Sequence, residues 1–168
     1  PKYLYYLLPG QAKPIRDASG KLTQEVLIAD EAEFSVRWKA AVDAMDASIA
    51  MLRHPHEFGV TSSHHLPYVS IPPAFSALQA HATSLPAIRR LDAQRKVRDW
   101  YWASVFTSRY SGSVESMAAR DFQDVRRWID DASDEPALIA EVKHHFRNLE
   151  RRKETRRGSS IYNGIFNL

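Results

Sequence analysis

Cysteine is absent from the 168-residue chain, which excludes a disulfide framework, a thiolate zinc site and a cysteine nucleophile together. A reducing compartment such as the cytoplasm fits that absence. No uninterrupted apolar run approaches the ~20 residues that a bilayer-spanning helix needs. The segment after Pro1 has neither the charged opening nor the long apolar stretch of a secretory leader. No membrane partner is expected. Internal repeats and low-complexity tracts are missing as well. What is present is an ordinary mix, 44% hydrophobic and 26% charged residues, the composition of a globular domain. A chain of this size buries enough surface on folding to need no covalent or metal staple. Composition assigns no function.

Charge is unevenly spread. Residues 1–83 carry 7 Lys and Arg against 8 Asp and Glu, whereas residues 84–168 carry 16 against 12. The excess is densest from Lys143 to Arg157, where seven basic residues meet only Glu150 and Glu154. That is a bias, well short of a polybasic tail. The chain starts at Pro1 without methionine and stops at Leu168 within an apolar pattern, Ile161, Ile165, Phe166 and Leu168. Such ends are those expected of a piece of a longer protein.

Periodicity predicts an all-α, multi-helix bundle with a short extended or hairpin amino-terminal element. Residues 1–29 form the arm: Lys2 to Leu8 is a β-prone run ended by Pro9-Gly10, and Leu22 to Ile28 alternates after the turn sequence Asp17-Ala-Ser-Gly20. Residues 30–158 form the bundle. Its first helix follows Asp30 as N-cap, repeats Phe34, Trp38, Ala41, Met45, Ile49 and Leu52 at helical spacing, and stops at His54-Pro55. His56 to Tyr68 reads as a loop. Ser70, with Pro72 and Pro73 in the first turn, opens a short helix to about Ala82. The next is expected from about Leu85 to Ser108, with Ile88, Leu91, Tyr101 and Val105 inward. Gly112 closes it and Ser113 caps a helix whose stripe is Ala118, Phe122, Val125 and Ile129. Asp134 and Pro136 open another, with Ile139, Val142, Phe146 and Leu149 on one face. Residues 159–168 begin a last helix, cut off before a missing downstream domain. Trp38, Trp100, Phe106, Phe122, Trp128 and Phe146 are the aromatic residues expected inside.

Three constellations bear on chemistry. His54, His56, His64 and His65 fall within twelve positions, and imidazole is a common zinc ligand. Their spacing matches no ligand helix such as H-E-x-x-H, and only Glu57 offers nearby acid. They are also read as ordinary loop histidines. His144 and His145, adjacent on a helix, point in different directions. The second constellation is basic. Lys143, Arg147 and Arg151 are spaced by four and so share one helical row, with Arg152, Lys153, Arg156 and Arg157 following; such a row suits the phosphates of double-stranded DNA, and equally a solvated helix face. The third is Trp100-Tyr-Trp-Ala-Ser-Val-Phe-Thr-Ser-Arg-Tyr-Ser-Gly-Ser113, followed by Met117-Ala-Ala-Arg-Asp-Phe122. Here an aromatic helix ends with Arg109 at its carbonyl end, turns through Tyr110, Ser111 and Gly112, and restarts at Ser113. Arg109 reads as a helix-end cation, or as a phosphate or domain-interface contact.

This third stretch resembles the helical region of the GmrSD-type modification-dependent restriction endonucleases, in which an aromatic helix leads into an R-Y-S-G-S-like turn and then an A-R-D-F/L-like helix. Leu66-Pro-Tyr-Val and Ser160-Ile-Tyr-Asn163 echo the same family in register. The resemblance covers most of the chain from Asp30 onward. It implies a place between an amino-terminal ParB-like domain, associated with nucleotide hydrolysis and marked by a D-G-Q-Q-R-type motif, and a carboxy-terminal HNH-like nuclease domain opening with a D-H-type motif. Neither motif occurs in this sequence. The resemblance therefore implies a non-catalytic, cofactor-free helical module whose partners are the flanking domains of its parent chain, with DNA contact a compatible addition. The alternative expectation is an autonomous metal-binding or hydrolase domain built on the His54 to His65 loop.

Overall fold

A computed structural model of the chain describes residues 13–26, 28, 30–110, 114–147 and 159–166. The expected strand at Lys2 to Leu8, the turn residues Ser111, Gly112 and Ser113, and the stretch from Asn148 to Gly158 lie outside the described residues.

The hairpin forms where the turn sequence puts it. Strand β1 (Lys13–Arg16) pairs antiparallel with β2 (Leu22–Val26), Lys13 opposite Val26 and Arg16 opposite Leu22, with the register slipping between Ile15 and Arg16. Asp17 closes the turn by accepting the backbone N–H groups of Ser19 and Lys21 at 2.9 and 3.0 Å, and Gly20 supplies the positive φ of +83°. The Ser19 hydroxyl and these amides hold the Asp17 carboxyl below its ordinary range.

The other regular elements among the described residues are helices, so the fold is all-α with one small hairpin. Among the described residues the α-helices are α1 (Glu31–Arg53), α2 (Ile71–Ser84), α3 (Ala87–Phe106), α4 (Val114–Asp130), α5 (Ala137–Arg147) and α6 (Ser160–Phe166), with one 3-10 turn at Ser63–His65 in the segment expected as loop. Asp30 caps α1 by accepting the Glu33 N–H at 2.8 Å. Ser70 stands before α2 but its side chain makes no capping bond. The two prolines that follow have no N–H to satisfy, which leaves a cap little to do.

Helix α2 is the centre of the bundle. Ile71, Ala74, Phe75, Ala77, Leu78 and Ala82 are all fully buried, and Ser76, Gln79 and His81 are buried with them. A helix apolar on every side must be surrounded, and α1, α3 and α4 pack around it. Length then corrects the expected stripe of α1. At ~1.5 Å per residue, α1 runs roughly 34 Å and α2 roughly 21 Å, so the amino-terminal part of α1 outruns its partner. Ala41, Ser48 and Leu52 are buried, whereas Phe34 and Trp38 stack on each other in the open at 5.8 Å between centroids. Trp38 is therefore not a core residue, and Phe106 is only partly buried.

Helix α3 corrects a phase. Tyr101 and Val105 are buried as expected, but Ile88 and Leu91 are 91% and 77% exposed. The inward row runs through Ala93, Val97 and Trp100, and continued backward by helical spacing it reaches Arg89 rather than Ile88. At the other end α3 stops before Gly112. The Ser108 N–H bonds the Val105 carbonyl and the Arg109 N–H bonds the Ser104 carbonyl, at 3.3 and 3.1 Å, while Ser108 takes φ +53°. This is a Schellman closure with serine in the left-handed position. Ser108→Gly is expected to stabilise the chain by about 0.5–1 kcal/mol, since the Cβ penalty goes. A urea midpoint unmoved or lowered by that change would show the turn to be differently built.

Helix α6 lies against α3 through Gly164, where a Cβ would stand 2.6 Å from the buried Val105 Cγ1. Only glycine allows that approach.

Candidate functional site

The stretch that carries the family resemblance converges on one buried carboxylate. Asp121 of α4 is 3% exposed. Its Oδ1 accepts from Arg109 Nη2 at 2.9 Å, and its Oδ2 accepts from the Tyr110 hydroxyl at 2.8 Å, from Trp100 Nε1 at 3.3 Å and from Arg109 Nε at 3.4 Å. Four donors from the end of α3 thus meet one carboxylate on α4. The pairing raises the Arg109 guanidinium further above its already high range. Burial first, and the Asp121 charge second, push the Tyr110 phenol well above its ordinary value, so it stays a donor.

Arg109 is the cation of a cross-helix ion pair with Asp121, while the Schellman bonds occupy the Ser104 and Val105 carbonyls at the end of α3. The cavity beside it, bounded by Pro136, Leu138 and Glu141, holds about 40 Å³. That is room for water and too little for an organic substrate.

A second polar cluster closes the far end of α4. The last carbonyls of a helix lack intrahelical donors, and here α3 supplies them. Lys96 Nζ donates to the Trp128 carbonyl at 2.7 Å, and Arg89 Nη2 donates to those of Ile129 and Asp130 at 3.0 and 3.1 Å. Lys96 is 4% exposed, also pairs with Asp92 at 3.2 Å, and lies 5.4 Å from the centre of the Trp128 ring. His81 of α2 meets Asp130 at 3.2 Å. Cations at the negative end of a helix are favourably placed, and this cluster locks α2, α3 and α4 together.

The histidine loop is arranged otherwise. His54 Nδ1 accepts the His56 N–H at 3.3 Å, with their rings 5.8 Å apart and tilted. His65 Nδ1 meets the Thr61 hydroxyl at 3.3 Å, and His64 is exposed. Among the described residues no three of His, Asp and Glu come together in a way that holds a metal ion. Between the end of α1, this loop and the start of α2 lies an open groove of about 500 Å³, which local periodicity could not reveal.

Of the basic row, Lys143 and Arg147 fall on α5. Arg151, Arg152, Lys153, Arg156 and Arg157 lie outside the described residues, as do Ser111, Gly112 and Ser113. No helix among the described residues is long and apolar enough to cross a membrane. Sequence reasoning missed Asp121 as an organising centre because its donors lie 11, 12 and 21 positions away. The Ala119-Arg-Asp-Phe122 motif was the one local signal that pointed to it.

Fold and network together define an all-α domain whose helices are pinned by buried polar clusters. A segment of 77 residues, 44% of the chain, is 42% identical to an uncharacterized protein of Methanocaldococcus jannaschii. The match spans 13% of that protein's length, so the relative is several times longer than this chain. No protein-family model matches the chain, and no solved structure matches it.

Proposed function

We propose that the chain is a non-catalytic helical module of a larger restriction protein of the GmrSD type, joining a nucleotide-hydrolysing domain to an HNH-like nuclease domain in a cytoplasmic setting. The observation that supports this reading is the Asp121 network. Arg109, Tyr110 and Asp121, which stand in the motifs behind the resemblance, are bonded to one another and have no room beside them for a substrate. Residues so placed fix the angle between two helices, and fixing an angle is what a connecting module has to do. The partial match to a much longer protein agrees with a modular role. Contact with double-stranded DNA through Lys143, Arg147, Arg151, Arg152, Lys153, Arg156 and Arg157 belongs to the same proposal.

Two measurements test it. The reading frame of the parent protein is expected to encode a D-G-Q-Q-R motif upstream and an HNH pattern downstream; a parent with neither sinks the assignment. The purified 168-residue chain is expected to hydrolyse no nucleoside triphosphate and to cut no DNA. Turnover that vanishes on changing His64 or His65 to Ala would replace the module reading with the metal-dependent hydrolase.

A further inference from the structure

The groove at the end of α1 has a chemistry that the connecting role does not use. Its floor is apolar: Leu52 and Val60 are buried, and Leu66, Ile49 and Pro72 complete the walls. Its polar lining residues are few, Arg53, Thr61, Ser62 and Ser63, and within the loop the Thr61 hydroxyl already meets His65 and the Ser62 hydroxyl accepts the His64 N–H. At about 500 Å³ it falls within the roughly 300–1,000 Å³ typical of small-molecule sites, which share this pattern of apolar lining with a few convergent polar groups.

Arg53 is the informative residue. A cation in the last turn of a helix ordinarily serves the helix carbonyls, and here backbone donors have taken those of Met51 and Leu52. The Met51 carbonyl accepts the His54 N–H, the Leu52 carbonyl accepts the Val60 N–H at 2.9 Å, and the His54 carbonyl gathers the N–H groups of Glu57, Phe58 and Gly59. The nearest acid in the loop, Glu57, is bound by Arg98. Arg53 has no ion pair among the described residues, and it lines the apolar groove with Thr61, Ser62 and Ser63.

We propose that this groove binds a small amphipathic anion, an aliphatic or aryl chain ending in a single carboxylate. The chain lies over Leu52, Val60 and Leu66, and the carboxylate meets Arg53 with hydroxyl support from Ser63. Charge complementarity selects this occupant over a neutral apolar one, because a guanidinium recognises a carboxylate through paired N–H donors. The inference stands independently of the restriction reading.

Calorimetric titration of the 168-residue chain tests it, with decanoate and decanol as probes below their aggregation limits. Decanoate is expected to bind saturably, one per chain, at least tenfold more tightly than decanol. Arg53→Gln should remove about that tenfold preference and leave decanol unchanged. Thr61→Trp and Ser63→Trp, both at exposed positions, should fill the groove and abolish both signals while the melting temperature holds. Equal affinity for the two probes, an unchanged decanoate affinity in Arg53→Gln, or non-saturable uptake overturns the proposal.

Discussion

Replacing Asp121 with Ala is expected to lower the stability of the chain by about 3–5 kcal/mol, the usual cost of removing one partner of a buried ion pair. At this chain length that corresponds to a fall in melting temperature of roughly 6–20 °C. The cost arises from what is left behind: the Arg109 guanidinium, the Tyr110 hydroxyl and the Trp100 N–H all lose their acceptor. Arg109 is 21% exposed and recovers some hydration, which places the expectation nearer the lower figure. Arg109→Ala should also destabilise, because it strands a carboxylate that is 3% exposed with only neutral donors. The double variant should cost less than the sum, with a coupling above about 1 kcal/mol, as contacting residues show. Thermal and urea unfolding of the four proteins supply the numbers. If Asp121→Ala costs under 1 kcal/mol and Arg109→Ala nothing, the carboxylate is solvated in solution. Arg109 would then be free to contact phosphate or a neighbouring domain.

What was legible in the sequence was mostly punctuation and, on α4, periodicity. Asp30, His54-Pro55 and Pro72-Pro73 mark ends that the helices respect, because caps and prolines act through local backbone donors and need no distant partner. The stripe Ala118, Phe122, Val125 and Ile129 is buried in full. The failures share one cause, which is that burial depends on a partner elsewhere in the chain. Phe34 and Trp38 obey helical spacing, yet α2 is too short to cover them. Ile88 and Leu91 are apolar yet exposed, and it is the neighbouring Arg89, itself exposed, whose guanidinium reaches the end carbonyls of α4. Ser108 closes α3 ahead of Gly112, the conventional residue for that position, since the Schellman bonds and the Asp121 network fix the chain around it. The candidate site follows the same rule. Its Arg109-Tyr110 half and its Asp121 half are visible as motifs, but their joining is a tertiary event.

Phe58 shows the rule in reverse, since a segment read as loop carries one of the most deeply buried side chains. It is 1% exposed. Its ring lies 4.7 Å from that of Tyr101 and 5.1 Å from that of Phe75, both edge-on, and stacks on Trp102 at 6.2 Å. Arg98 sits 5.8 Å from its centre while holding Glu57. Gly59, at φ +65°, lets the chain reverse directly after the ring enters, and the Val60 N–H then bonds back to the Leu52 carbonyl. The turn is thus nailed to α2 and α3 by one aromatic ring. Phe58→Ala is expected to cost about 3–5 kcal/mol, the range for a buried aromatic whose site cannot collapse. Edge-to-face partners add to the loss. Trp38→Ala, by contrast, removes a side chain that is 36% exposed and stacks only on Phe34 among the ring contacts described, and should cost about 1 kcal/mol or less. Because Val60 floors the groove beside Arg53, Phe58→Leu, which keeps most of the apolar volume, should weaken decanoate binding less than Phe58→Ala does under conditions where both stay folded. Equal stability losses for Phe58→Ala and Trp38→Ala would mean that the turn packs loosely in solution, and the groove it shapes would lose its floor.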